Sequence, residues 1–190
     1  PDNEVSWYQS RPELSLPLIA DSGVSRSNSL IDVGGGAALL VDYLVHDGFE
    51  NITVLDISGA ALRVAQKRLG ESAKSVDWIE SDITQFQCAK TFDLWHDRAV
   101  FHFLTQASDR KKYVDLLHQV MKPRGHIIIA AFAIGGPEKC SGLDIIQYDA
   151  AKLSRELGEA FILVEQVDEP HTTPGGKVQA FGYYHFKKQR

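Results

Sequence analysis

The 190-residue sequence predicts an α/β fold, a mostly parallel sheet covered by helices on both faces and finished by an antiparallel hairpin. Three observations carry that prediction. Short apolar runs rich in β-branched residues alternate with segments of helical spacing through at least four units. Glycines at positions 48, 70 and 125 fall where the helices should end. After Leu157–Gly158 the alternation stops, and two apolar runs follow one another with no helix between them.

Taken in order, Ser29–Val33 reads as the first strand, followed by a helix over Ala37–Val45 that places Leu40, Val41, Leu44 and Val45 on one face. Ile52–Asp56 is the second strand, and Ala60–Leu69 the second helix, with Leu62, Val64, Ala65 and Leu69 as its apolar stripe. Val76–Ile79 and Phe92–Trp95 are the third and fourth strands. Asp109–Met121 is a helix through Tyr113, Val114, Leu116, Leu117 and Val120, and His126–Phe132 is the fifth strand. Phe161–Val167 and Val178–Phe186 form the closing hairpin, because the connector Asp168–Lys177 holds Pro170, Pro174, Gly175 and Gly176. The expected division is an N-terminal lid or helical segment over 1–28, ending in the polar stretch Asp21–Asn28, and one domain over 29–190 with a cap loop at about 133–148.

Composition narrows the function classes. Apolar residues at 44% and charged residues at 24% suit a globular chain with a real core. The net charge of −5, with both signs scattered, opposes a phosphate backbone and disfavours nucleic-acid partners. Cys88 and Cys140 are the two cysteines, too far apart for a metal-ligand spacing or a disulfide framework, so no metal is expected and a reducing compartment is. No apolar run approaches the ~20 residues of a membrane span and no signal-peptide pattern is present, which makes the cytoplasm the default location.

The first strand runs into Ile31-Asp32-Val33-Gly34-Gly35-Gly36 and then a helix. Glycines there let the backbone turn sharply and approach a ligand, while the helix start offers its amides. Alone, such a turn also serves as a plain strand-to-helix link. Asp56 closes the second strand 20 residues beyond Gly36, where a carboxylate accepts both ribose hydroxyls of an adenosine, and Ile57 follows it. Asp82 and Ile83 stand just after the third strand, where a carboxylate can take the adenine amino group. Either acid taken singly also reads as a solvated turn residue or helix N-cap. A nicotinamide dinucleotide fits less well: the third glycine of G-x-G-x-x-G would fall at Leu39, and Asp32 sits where those folds carry an apolar residue. Asp32 instead suits orienting the loop and meeting the ammonium of an amino-acid tail.

With these residues in place, the sequence from about Ser29 to Phe186 resembles the class I S-adenosylmethionine-dependent methyltransferases. The resemblance implies a Rossmann-like three-layer sandwich with a seven-stranded sheet, six strands parallel and one antiparallel, the last supplied by the C-terminal hairpin. It implies S-adenosylmethionine as methyl donor and S-adenosylhomocysteine as product. Asp32, Gly34, Gly35 and Gly36 stand for the first motif, Asp56 for the ribose acid, Asp82-Ile83 for the adenine pair, and Met121-Lys122-Pro123-Arg124-Gly125 for the lead into the fifth strand. Ala38 replaces the family's frequent third glycine, and Gly35 its common Cys or Ser.

Methyl transfer from a sulfonium is an in-line displacement, so holding the acceptor on axis in a dry site supplies most of the acceleration, and a base is needed only when the acceptor must lose a proton. In the family the segment after the fourth strand lies beside the reactive methyl. Here it reads His96-Asp97-Arg98-Ala99-Val100-Phe101-His102. His96 is the candidate base and a cofactor contact, with Asp97 orienting it; the alternative is that His96 only packs on the adenosine or offers its carbonyl. His102 joins them as a candidate catalytic residue, at a spacing that matches no common metal pattern. Arg98 either pairs with Asp97 or grips an acidic substrate. The glycine-rich loop 133–143 suggests a substrate cap, with Cys140 as a pocket residue or an incidental thiol. Val5–Arg11, with Trp7 toward the substrate and Tyr8 toward the cofactor, suits an aromatic lid or a segment packed on the sheet. The Asn/Asp-Pro-Pro-aromatic signature of base amino-methyltransferases is missing, as is the Pro-Cys of cytosine-carbon enzymes. The reading is therefore a small-molecule O-, N- or S-methyltransferase, monomer or homodimer. A protein-lysine methyltransferase is the alternative, and a non-catalytic S-adenosylmethionine-binding module a third.

Overall fold

The computed structural model describes residues 9–172 and 178–190. Helix α1 (Ser15–Asp21) is followed by β1 (Ser29–Val33), α2 (Leu40–His46), β2 (Asn51–Asp56), α3 (Gly59–Leu69), β3 (Val76–Glu80) and β4 (Phe92–Arg98). Then come α4 (Ala107–Val120), β5 (Met121–Phe132), a two-strand ribbon of β6 (Lys139–Cys140) and β7 (Leu143–Asp144), α5 (Ala150–Leu157), β8 (Phe161–Thr172) and β9 (Val178–Lys188). The main sheet has seven strands in the order β3-β2-β1-β4-β5-β9-β8. β1 to β5 pair in parallel, and β9 is antiparallel to both β5 and β8, so β8 runs with the parallel set. This is the six-plus-one sheet that the resemblance implied.

Central parallel strands are covered on both faces, and all five residues of β1 are buried accordingly. Alternation along the strands divides the core in two. On one face Ile31, Val33, Trp95, Ile127 and Ile129 pack under α4 and α5 through Tyr113, Leu117, Leu153 and Leu157. On the other, Leu30, Ile52, Val54, Leu94, Ile128 and Ala130 lie under α1, α2 and α3 through Leu18, Ile19, Leu40, Leu44 and Leu62. Asp93 pins the bottom of the sheet, accepting from Ser29 N at 2.8 Å and from Lys122 Nζ at 2.7 Å; these bonds outweigh its desolvation and hold its carboxyl below the usual range.

Some boundaries differ from the sequence reading. The third glycine expected at a helix end, Gly125, lies inside β5, which starts at Met121 directly after α4; Arg124 takes the left-handed turn there, at φ 64°. Helices α1 and α5 were not separated from their surroundings by periodicity, both being only two turns long. The cap loop carries its own ribbon, turned by Ser141 (φ 51°) and Gly142 (φ 82°), two successive positive-φ residues of the kind that a tight hairpin needs. Gln147 ties it down through Gly136 O, Pro137 O and Gly135 N. No helix among the described residues is long and apolar enough to cross a membrane.

Candidate functional site

The carboxyl ends of β1, β2, β3 and β4 open into one cavity of about 870 Å³. Its lining unites Asp32, Gly34, Gly35, Gly36, Asp56, Ile57, Asp82, Ile83 and His96 with Arg98 and Cys140, residues spread over more than a hundred positions of sequence. The α/β sheet brings them together because parallel strands all end on the same edge.

The glycine turn is built for close approach. Gly34 has φ +72°, and a Cβ there would drive into Val100. A Cβ at Gly35 would lie 2.5 Å from Asp32 Oδ2 and 2.8 Å from Val54, so a larger residue here would have to displace one of these side chains. Gly34 N donates to Leu55 O at 2.7 Å, fixing the turn to β2. Arg68, on α3, staples its exit: Nη1 and Nη2 donate to Ala37 O and Ala38 O at 2.9 and 2.8 Å, while Nε and Nη2 hold Asp42.

The acids occupy distinct settings. Asp56 accepts from Ser58 N at 2.8 Å, and partial burial pushes its carboxyl up despite that bond. Asp82 turns one oxygen back on Thr84 N and Oγ1 at 2.8 and 2.9 Å. Ile57 stands 71% exposed at the rim, whereas Ile83 is buried in the core beneath it.

Asp32 and His96 are neighbours across β1 and β4 and share the face that α1 covers. His96 Nδ1 lies 2.7 Å from Asp32 Oδ1, and its Nε2 lies 2.8 Å from Ser15 Oγ. All three residues are buried. A carboxylate at Nδ1 assigns the ring proton to that nitrogen, leaving Nε2 to accept from the serine hydroxyl. Ser15 was not foreseen, since a serine in a two-turn helix carries no pattern of its own.

Two expected catalytic residues face elsewhere, for reasons of strand geometry. Asp97 follows His96 in an extended strand, so its side chain points to the opposite face. There it accepts from Tyr113 Oη at 2.6 Å, Val100 N at 2.8 Å and Phe101 N at 3.1 Å, capping the turn after β4; burial outweighs these bonds and pushes its carboxyl up to about 6. It therefore orients neither His96 nor Arg98. His102 is also absent from the cavity wall. Its ring stacks on Phe132 at 5.0 Å, neither ring nitrogen has a hydrogen-bond partner, and burial together with the nearby Arg98 charge pulls its pKa down to about 3.

Arg98 lies on the same face of β4 as His96 but reaches the other way, across β5 to the hairpin. Its Nε donates to Tyr183 Oη at 3.0 Å and its guanidinium lies 5.4 Å from the Phe181 ring, both on β9. Cys140 is buried in β6 and lines the cavity with Ser141, Leu143 and Asp144 of the ribbon. Gln9 lines it too, its Nε2 donating to Glu169 at 2.8 Å. Trp7 and Tyr8, the expected lid aromatics, lie outside the described residues. Among the described residues no group of three or more His, Cys, Asp or Glu is arranged to hold a metal ion.

The methyltransferase-domain family profile matches residues 31–129, from the first strand to the fifth. EEF1A lysine methyltransferase 2 of Homo sapiens is 25% identical over 182 residues, 91% of this chain and 66% of that protein. Its Danio rerio counterpart is 29% identical over 115 residues, 57% of this chain and 49% of that protein. The chain thus spans about half to two thirds of the length of these curated relatives. Among solved structures, N-methyltransferase NodS from Bradyrhizobium japonicum superposes with a TM-score of 0.74 at 20% identity, covering 94% of this chain and 96% of that one, a likeness of fold. The same protein in complex with S-adenosylhomocysteine superposes at 0.73, with 20% identity and 96% and 90% coverage.

Proposed function

We propose that this chain, which belongs to the methyltransferase-domain family, moves the methyl group of S-adenosylmethionine to an oxygen, nitrogen or sulfur atom of a small molecule. The observation that carries this reading is the 870 Å³ cavity in which the glycine turn and three strand-end acids meet a separate wall from the cap ribbon and β4. That volume falls within the ~300–1,000 Å³ of small-molecule sites.

The residues fit the donor. Backbone at Gly35 and Gly36 occupies ground where a Cβ would meet Asp32 and Asp56, which is what close approach of a ligand to a strand end requires. Asp56 would take the ribose hydroxyls, Ile57 and Ile83 would flank the adenine, Asp82 would take its amino group, and Asp32 with Gly34 would face the amino-acid tail. When bound, S-adenosylmethionine supplies a sulfonium-activated methyl open to in-line attack.

The contacts of His96 support a role in moving a proton. Asp32 holds its Nδ1–H, so Nε2 keeps a lone pair directed at Ser15 Oγ. A proton leaving an acceptor hydroxyl or amine passes to Ser15 Oγ as the serine's own proton moves to Nε2, and Asp32 stabilises the imidazolium that results. Ser15, His96 and Asp32 are all buried, which keeps bulk water from this path.

The likeness to EEF1A lysine methyltransferase 2 over 91% of this chain and 66% of that protein supports a second reading, methylation of a protein lysine. Within the cavity wall Arg98 opposes a lysine ammonium, while Asp144 on the cap ribbon would attract one. The test has two steps. Calorimetry with S-adenosylhomocysteine should show binding that Asp56→Ala weakens by about 10- to 100-fold, the value of a hydrogen bond to a charged group. Labelled methyl from S-adenosylmethionine should then enter the small-molecule fraction of a cell extract. Label confined to the protein fraction would favour the lysine reading, and label in neither, with the ligand bound, a non-catalytic module. No binding by the wild type would sink the donor assignment.

A further inference from the structure

We propose that Asp97 is a positioning residue for donor binding: with Tyr113 it fixes the turn after β4 so that Val100 seats on Gly34 and holds the glycine turn in its binding shape. This deepens the methyltransferase reading above and rests on it. Two turns interlock at the donor side of the cavity. Gly34 is left-handed at φ +72°, and the place that a side chain would take there is filled by Val100 Cγ2. Gly34 and Val100 both line the cavity, so a shift of Val100 either crowds the glycine turn or leaves it unsupported. The shape of one turn thereby depends on the shape of the other.

The turn that carries Val100 is strained. Ala99 stands at φ 69°, a left-handed conformation that an alanine adopts only where its surroundings impose it. Ala130 O of β5 accepts from Ala99 N at 2.9 Å on one side of the strained residue. On the other, Asp97 accepts from Val100 N at 2.8 Å through Oδ1 and from Phe101 N at 3.1 Å through Oδ2. From there the chain makes one 3-10 turn over Phe101–Phe103. Behind the carboxyl, Tyr113 Oη of α4 donates to Asp97 Oδ2 at 2.6 Å and accepts from Trp95 Nε1 at 2.7 Å, with all three side chains buried. Trp95 and Asp97 are two residues apart in β4 and so share a face. None of these three side chains lines the cavity, whereas Ala99, Val100, Phe103 and Leu104 do. A buried carboxyl costs desolvation, and apolar residues of similar size often serve packing as well. What the carboxyl supplies here is a fixed path for the backbone, anchored on α4, that ends with Val100 against Gly34.

The test is a double-mutant cycle read by calorimetry with S-adenosylhomocysteine. Asp97→Asn keeps the size of the side chain and one acceptor oxygen but gives up the other, so Tyr113 Oη and the two backbone amides can no longer all be served. It should weaken S-adenosylhomocysteine by about tenfold while urea denaturation still shows a cooperative transition. In a Val100→Ala background the same change should cost less than about threefold, because the methyl that seats on Gly34 is gone. A role in general stability would give equal losses in both backgrounds, and that result overturns the proposal. Unchanged affinity in Asp97→Asn overturns it as well. If Asp97→Asn gives no cooperative transition, Tyr113→Phe takes its place, since it leaves the carboxyl and removes one donor. Its loss of about fivefold should shrink to within about twofold in Val100→Ala, and either no loss or equal losses would overturn the proposal. Failure of the wild type to bind S-adenosylhomocysteine at all would be the separate failure of the donor reading.

Discussion

Ser15 Oγ, His96 and Asp32 form a chain of two short hydrogen bonds wholly inside the protein, and that burial makes each link matter. Ser15→Ala should cut kcat for a protic acceptor by about 100-fold or more, the range of general acid–base assistance. Affinity for S-adenosylhomocysteine should stay within about twofold, and Ser15→Thr, which keeps the hydroxyl, should restore most of the rate. An unchanged kcat in Ser15→Ala, read from its pH–rate profile, would remove Ser15 from the proton path. At this scale the sequence was readable only where backbone chemistry restricts the residue type. Gly34 and Gly36 stood out because few residues other than glycine adopt the positive φ that such a turn needs. Ser15 and Tyr183 did not, because a hydroxyl suits almost any position and their meaning comes from partners 81 and 85 residues away. Asp97 misled for a related reason: adjacency in sequence suggested a pair with His96, whereas strand pleating separates neighbours.

At the scale of elements, the glycine turn is secured from outside the cavity by α3. Arg68 spends three nitrogens on the carbonyls of Ala37 and Ala38 and on the carboxylate of Asp42, joining α3 to the start of α2. The chain lacks the family's third glycine at Ala38, and a stapled turn holds the amides in one arrangement. Arg68→Met should therefore weaken S-adenosylhomocysteine by about tenfold through loosening of the turn. It should leave 5′-methylthioadenosine, which lacks the amino-acid tail, within about threefold. Equal loss for both ligands, measured by calorimetry, would mean that the staple serves the adenosine half or the fold in general. Strands were the most legible elements, since β-branched runs buried on both faces admit few other readings. Short helices such as α1 and the ribbon of β6 and β7 were not, because two turns or two residues give periodicity nothing to repeat.

At the scale of the whole molecule, buried titrating groups set the response to acid. His102 and His126 are held neutral, at about 3 and about 4, mainly by burial. Their folded values lie below the ordinary 6.5, so the unfolded chain binds their protons first, and the stability they carry is lost as pH falls from 6.5. Asp97 acts in reverse: raised to about 6 from 3.8, it is protonated first in the folded chain and adds stability over that window. Two histidines outweigh one aspartate, and stability should fall between pH 7 and pH 4.5. His102→Leu should flatten that decline, by on the order of 2 kcal/mol at pH 5 from the shift of His102 alone. Asp97→Asn should steepen it. Chemical denaturation at pH 7.5 and pH 5 checks both, and equal slopes in wild type and His102→Leu would refute the assignment. The donor half of the cavity was legible as a whole because its residues follow one another strand by strand. The rest of the cavity wall, drawn from Gln9, Ser15, Arg98 and Cys140, with Phe181 and Tyr183 of β9 behind Arg98, exists only once distant segments have met.

The place of β9 has a consequence for synthesis. It lies between β5 and β8, although it follows both in sequence. On a ribosome the strands β1 to β5 emerge first, and with them the glycine turn and all three donor-side acids, while Phe181 and Tyr183 are still in the exit tunnel. Until β9 arrives, β5 keeps one edge unpaired and Arg98 lacks the phenol and the ring it packs against, so the sheet that carries the cavity is finished only by the last of its seven strands to be made.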